Sequence, residues 1–205
     1  MKESKILKSE EIDFESFNKD LNNGAVVCFL TDTVWGFGCH PQSREGIDKI
    51  YEIKGRDRTK PLILMSDDIE YLKKYVKNIP DKAKIAIDKF FPGALTVILK
   101  KSEICSDEIT SKLDTVGIRI PDCKIFSKLC ALNEDRVFAT TSANKSGEEP
   151  VKNFSEAKEK FSGLVDYIID DEGILPKGFA STVAYFSENN EIKIFRQGEI
   201  NLDNL

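Results

Sequence analysis

Histidine is almost missing from this chain: His40 stands alone among 205 residues. That argues against a multi-histidine metal centre, and with no imidazole to spare it argues equally against a serine–histidine nucleophile. No apolar run approaches the roughly 20 residues needed to span a bilayer. The opening Met1-Lys2-Glu3-Ser4-Lys5 mixes charges and leads into no apolar segment, so neither a secretory leader nor a membrane anchor is expected, and the cytoplasm is the expected location. The five cysteines are odd in number and show no CxxC spacing, which makes reduced packing residues the simplest reading. Neither a GxxxxGK[ST] loop nor a GxGxxG turn after a strand is present, which sets aside P-loop and Rossmann nucleotide sites. What chemistry there is must come from hydroxyls, cations and backbone amides.

What is present begins with enough apolar residue, 40% of the chain, to bury a core, and one compact domain over 1–205 is the expected organisation. The net charge of -5 disfavours a general polyanion binder but leaves room for a focused basic cleft. Two stretches stand out. Thr31-Asp32-Thr33-Val34-Trp35-Gly36-Phe37-Gly38 follows the apolar run Ala25–Leu30, so a buried strand delivers hydroxyls at its end, where ligands bind in open α/β sheets. Lys54-Gly55-Arg56-Asp57-Arg58-Thr59-Lys60-Pro61 then sets four cations within seven residues. Lys54, Arg56, Arg58 and Lys60 suit a triphosphate, arginine as a fork and lysine as a point charge; the plainer reading is a solvated loop.

Helix and strand signals alternate along the chain. Asp13 caps an expected helix bearing Phe14, Phe17 and Leu21, and Ser43 caps another that turns Ile47, Ile50 and Tyr51 inward and ends near Gly55. Pro61–Met65 reads as a strand. Asp67 and Glu70 suggest a capping box for a helix carrying Ile69, Leu72 and Val76. Pro80 opens a helix running to Phe90, Leu95–Leu99 is a strand, and Val116–Pro121 is a strand on which Gly117 and Arg119 share a face. Asp122 is the expected cap of a helix through Phe126, Leu129 and Cys130. Val137–Ala139 is a strand expected to end at Thr140-Thr141-Ser142-Ala143-Asn144. Ser155–Phe161 reads as a helix, Val165–Ile169 as a strand, and Ser181–Phe186 and Ile192–Arg196 as a hairpin turning at Asn189-Asn190. The fold class is α/β, a large twisted sheet of mixed parallel and antiparallel strands flanked by helices.

Hydroxyls at Thr31, Thr33, Thr140, Thr141, Ser142, Ser181 and Thr182 recur at or near strand ends; singly each is a cap or turn residue, together they suit a small polar substrate. Arg119, a cation inside a strand, is either a carboxylate ligand or half of an internal ion pair. The hairpin should bring Ser181 and Arg196 together opposite its turn.

TDTVWGFGC (31–39), KGRDRTKPL (54–62), FPGALTVIL (91–99), DTVGIRIPD (114–122), TTSANKSG (140–147), STV (181–183) and FRQG (195–198) resemble the YrdC-like threonylcarbamoyl-AMP synthases in order over nearly the whole chain, in their short, single-domain form. The resemblance implies condensation of L-threonine with bicarbonate or CO2, and adenylation of the carbamate by ATP with release of pyrophosphate. The product would pass to a tRNA threonylcarbamoyl transferase for the t6A37 modification. The family's K-x-R and S-x-N sets fall on Lys54, Arg56, Ser142 and Asn144. ATP would meet these with Lys60 and Arg196; threonine would meet Thr33, Arg119, Ser142 and Ser181. Lys54 and Arg56 would stabilise transition-state charge without a covalent nucleophile, and Mg2+ would arrive on the ATP phosphates with no side-chain metal ligand. Trp35, where tyrosine or phenylalanine is usual, and Met65, where some members carry histidine, depart from the pattern. Two other readings stand beside this one: a non-catalytic RNA-binding module, or at least a weak RNA contact, and a carbamoyl-adenylate-forming relative that uses carbamoyl phosphate.

Overall fold

A computed structural model describes residues 3–203 and 205. Met1 and Lys2, where the reading of the N-terminus begins, lie outside them. Among the described residues ten strands form one sheet: β1 (Lys5–Leu7), β2 (Val27–Phe29), β3 (Gly36–Cys39), β4 (Ile63–Ser66), β5 (Leu95–Lys100), β6 (Thr115–Arg119), β7 (Val137–Ser142), β8 (Tyr167–Ile169), β9 (Thr182–Phe186) and β10 (Ile192–Arg196). Their spatial order is β1-β8-β2-β3-β7-β4-β6-β5-β9-β10. The pairs β1/β8, β2/β8, β4/β6 and β5/β9 are parallel, and the remaining five are antiparallel, so the sheet is mixed as expected. The helices are α1 (Phe14–Asn22), α2 (Arg44–Lys54), α3 (Ile69–Lys73), α4 (Asp81–Phe90), α5 (Asp107–Thr110), α6 (Lys124–Ala131) and α7 (Phe154–Phe161).

The period of two along the central strands sorts residues between two faces. Leu64 of β4, Val97 and Leu99 of β5, Val116 and Ile118 of β6, Ala139 of β7 and Ala184 and Phe186 of β9 are buried in the core. Their alternates are Ile63 and Met65, Thr96 and Ile98, Gly117 and Arg119, Thr140, and Val183 and Tyr185. Register places these beside one another: Ile63 opposite Gly117 and Thr140, Met65 opposite Arg119, Thr96 opposite Val183, and Ile98 opposite Gly117 and Tyr185. A single sheet face therefore carries the polar and small residues. At Gly117 a Cβ would stand 2.8 Å from Ile63 Cγ2, so the glycine makes room on that face.

α2 is organised by the same logic at helical period. Ile47, Ile50, Tyr51 and Lys54 recur at i, i+3, i+4 and i+7, and all four are buried, so the last of them carries an ammonium into the core. Ser43 accepts from the Gly46 amide at one end, and Gly55 closes the other in a left-handed conformation at φ 55°, a geometry that favours glycine.

Several local expectations are corrected. Asp68, not Asp67, caps α3, accepting from the Glu70 amide, while Asp67 instead pairs with Arg136. α3 stops at Lys73, and Val76 bridges Lys101. Cys123 occupies the cap position of α6 expected for Asp122, and no side chain caps there. Strand β7 does not stop before its hydroxyls but runs through Thr140 and Thr141 to Ser142. Gly36-Phe37-Gly38-Cys39, too glycine-rich to read as a strand, is β3: Gly38 lies against Phe29, with room for no Cβ, and antiparallel pairing to β2 and β7 holds the segment in place. The five cysteines are buried and unpaired. Among the described residues no helix is long and apolar enough to cross a membrane.

Candidate functional site

A cavity of about 380 Å3 opens on the polar sheet face, lined by residues that include Thr33, Arg56, Met65, Thr96, Arg119, Ser142, Asn144, Ser181 and Arg196. Six strands or strand ends converge there, which is why the contributing motifs are scattered along the chain.

At one end the guanidinium of Arg119 lies almost wholly buried, at 3% side-chain exposure. It donates through Nη1 to Thr33 Oγ1 (2.8 Å), through Nε to the Gly93 carbonyl (3.0 Å) and through Nη2 to Asp32 Oδ1 (2.5 Å). Three of the five N–H donors are thus engaged, leaving two for a ligand. Burial pushes the Asp32 carboxyl up and the Arg119 guanidinium down, and their mutual attraction opposes both shifts. The internal ion pair is present, and the same arginine also lines the cavity. Asp32 is the residue that sequence reasoning passed over, although it sits inside the TDT turn.

Thr33 is held in turn by Thr31 Oγ1 at 3.2 Å, and Thr31 closes the turn by donating to the Val34 carbonyl. On β5, the strand paired with that of Arg119, Thr96 Oγ1 lies 2.9 Å from Ser181 Oγ. Arg196 donates from Nε to the Ser181 carbonyl at 2.9 Å and from Nη2 to Ser181 Oγ at 3.1 Å, so the hairpin joins these two residues as its pairing implied. Thr96 went unremarked in the sequence because it lies inside an apolar strand; its alternation with Leu95 and Val97 was the available signal.

The basic segment divides. Arg56 lines the cavity, its fork steadied by the Lys60 and Pro61 carbonyls at 3.2 and 3.1 Å. Arg58 turns away to Asp48 at 2.5 Å. Lys60 is exposed and its side chain is not on the cavity wall; its contribution there is the carbonyl that holds Arg56. Lys54 is the larger departure from expectation. It is 2% exposed and not on the wall, and its ammonium donates to the Ser142 carbonyl (2.5 Å), the Asn144 carbonyl (2.8 Å) and Asn144 Oδ1 (3.0 Å). A lysine has three N–H donors, so a direct phosphate contact would require one of these to be surrendered. Burial, with the like charge of Arg56 second, pulls Lys54 down to about 7. Ser142 Oγ donates to Asn144 Oδ1 at 2.6 Å, so Lys54, Ser142 and Asn144 form one network; Ser142 and Asn144 face the cavity beside Arg56, and Lys54 stands behind them.

Met65 lies on the wall, opposite Arg119 in the β4–β6 register. Trp35 does not reach it: the indole is fully buried and stacks on Phe154 at 6.5 Å. Beside the polar cavity, and sharing Pro61, Ile63 and Val183 with it, runs an apolar hollow of about 530 Å3 lined by Ile98, Leu113, Tyr185 and Phe195.

A family model named Sua5/YciO/YrdC and described as "Telomere recombination" matches residues 19–198. A Pyrococcus abyssi protein named threonylcarbamoyl-AMP synthase is 38% identical over 168 residues, which cover 82% of this chain and 49% of the relative. The chain thus spans about half the length of that relative. A Methanocaldococcus jannaschii protein provisionally named a threonylcarbamoyl-AMP synthase is 34% identical over 98% of this chain and 97% of its own. Among solved structures, P. abyssi Sua5 complexed with L-threonine superposes with a TM-score of 0.82 at 34% identity, covering 94% of this chain and 57% of the other.

Proposed function

Because the chain belongs to the Sua5/YciO/YrdC family, we propose that it is a nucleotidyltransferase, an L-threonylcarbamoyladenylate synthase, condensing L-threonine, bicarbonate or CO2, and ATP. The observation that carries this reading is the gathering, around one cavity on the polar sheet face, of a buried arginine, Arg119, with two N–H donors to spare and two further arginines, Arg56 and Arg196. The apolar hollow alongside supplies flat aromatic surface of the kind on which a purine stacks.

The residues divide the work as follows. Arg119, with Thr33, would take the threonine carboxylate; Ser181 and Thr96 would orient the polar end of the amino acid, with Ser142 nearby and Met65 against its methyl. The threonine nitrogen bonds to the carbon of CO2 and loses a proton. A carbamate oxygen then attacks the α-phosphorus, and the bond to the β-phosphate oxygen breaks, releasing pyrophosphate. Arg56 and Arg196 would neutralise charge on the phosphates, and Ser142 and Asn144 would position them. Such chemistry asks for positioning and charge stabilisation in place of a covalent nucleophile, which suits a site with no histidine. Mg2+ would arrive with the triphosphate and offset its charge, with Glu148 the carboxylate on the cavity wall available to it. The adenylate would be consumed by a tRNA threonylcarbamoyl transferase, and tRNA modification would place the reaction in the cytoplasm.

Incubation with Mg-ATP, L-threonine and bicarbonate should release pyrophosphate and yield a threonylcarbamoyl adenylate detectable by mass spectrometry. Release of γ-phosphate, or turnover indifferent to threonine, would overturn the assignment. Dependence on carbamoyl phosphate would point to the carbamoyl-adenylate relatives instead.

Arg196→Ala should raise the KM for ATP by about tenfold, the effect of losing one charge-assisted phosphate contact, while threonine binding measured without ATP shifts less. Weakened threonine binding with unchanged ATP dependence would reverse the two ends of the site, and the hold of Arg196 on Ser181 makes that a fair contest.

A further inference from the structure

Lys54 is a buried cation with no carboxylate partner among the described residues. Its three hydrogen-bond acceptors are two main-chain carbonyls and one amide oxygen, none of them charged. A buried charge ordinarily persists only when paired. The charged group whose field reaches it is Arg56 on its own segment, a like charge. From β3 the Phe37 ring approaches it, its centroid 5.8 Å away.

The residue grips the loop twice, since its carbonyl also accepts from the Ser146 amide at 2.7 Å. Asn144 passes the restraint on, donating to the Lys145 and Glu148 carbonyls at 2.8 Å each. The loop so held carries Ser142 and Asn144 into the cavity beside Arg56.

We propose that the nucleotide triphosphate supplies the counter-charge that Lys54 lacks, so that nucleotide binding draws a proton from solvent onto the Lys54 nitrogen and thereby fixes the 142–150 loop. Lys54 is then a positioning residue, acting on the phosphates through Ser142 and Asn144. This rests on the ATP-using reading above. The geometry explains why the proton matters: a neutral amine has two N–H donors and a lone pair, yet three oxygens surround this nitrogen. Deprotonation sets the lone pair against an oxygen and releases one anchor of the loop. Burial has already brought the group to about 7, within reach of such a switch, and a polyanion one layer away raises it again.

Titration calorimetry of Mg-ATP into the full chain, without threonine, in two buffers of different ionisation enthalpy tests this. At pH 8, above the second ionisation of a phosphate at about 6, nucleotide binding should take up close to one proton, and at pH 6 almost none. The apparent Kd should rise about tenfold per pH unit above 8. Lys54→Met should abolish the uptake. Should that variant fail to fold, the wild-type protein still decides the matter by NMR titration of its lysine Cε signals, one of which should titrate near neutrality and move upward when Mg-ATP is added. Binding at pH 8 without proton uptake, or no lysine titrating near neutrality, overturns the proposal while leaving the ATP site intact. Absence of any Mg-ATP binding at either pH overturns the site and the coupling together.

Discussion

Arg119→Gln is expected to abolish threonine-dependent pyrophosphate release and to unfold roughly 10 °C early. Removing one partner of a buried ion pair costs about 3–5 kcal/mol, because the other charge is left in the core, and a chain of this size loses about 2–4 °C per kcal/mol. Here the stranded group would be Asp32, 6% exposed and already pushed up by burial against the attraction of Arg119. Without the arginine its carboxyl rises further. The sign of the pH dependence follows: folding then binds a proton to Asp32, so the variant should be relatively more stable at pH 5 than at pH 8, the reverse of a carboxylate held by a salt bridge. Stability loss alone would not separate ligand binding from structure. The double variant Asp32→Asn, Arg119→Gln does, since it removes both charges and should recover much of the melting temperature while threonine use stays at least about a hundredfold down. Recovery of threonine use in the double variant would show that the pair is purely structural.

The sequence disclosed the architecture more readily than it did the inside of the site, and the reason is range. Caps such as Asp13 and Ser43, and the hairpin turn at Asn189-Asn190, are local signals, and each is found where it was read. β3 was hidden because glycines at 36 and 38 carry no strand propensity; their placement depends on Phe29 and on pairing with β7, contacts distant along the chain. Lys54 could have been placed. It falls at i+7 from Ile47 and i+3 from Tyr51, on the very face assigned to the core, and the charge drew attention away from the period. Arg119 was legible as an anomaly, yet its partner was not, since Asp32 lies 87 residues earlier and only the fold joins them. Which cations face the cavity likewise depended on what Asp48 and the Ser142–Asn144 carbonyls could capture.

Gly198→Ala should be nearly as damaging as loss of Arg119, although the residue carries no functional group. A Cβ at this position would stand 2.5 Å from both the Ala180 carbonyl oxygen and the Thr182 amide nitrogen, and 2.7 Å from the Ser181 carbonyl carbon. All three are main-chain atoms, so no rotamer change relieves the contact and one of the two segments must move. The chain leaving β10 crosses directly over the start of β9, fastened there by the Gly198 amide donating to Thr182 Oγ1 at 2.9 Å. Pushing the segments apart displaces Ser181, which holds the Thr96 hydroxyl on one side and the Arg196 guanidinium on the other. Thr96, Ser181 and Arg196 then lose alignment together. The expected cost is about 3 kcal/mol of stability, the upper part of the range for overpacking, with kcat/KM falling for threonine and for ATP alike. Gly55→Ala is the control. That glycine has a positive φ of 55° but open space around its missing Cβ, so alanine there should cost only about 1 kcal/mol of stability. Kinetics and melting of the two variants side by side test the idea: if Gly198→Ala stays within about twofold of the parent for both substrates, then β9 and β10 have slack at their crossing, and the position of Ser181 does not depend on that contact.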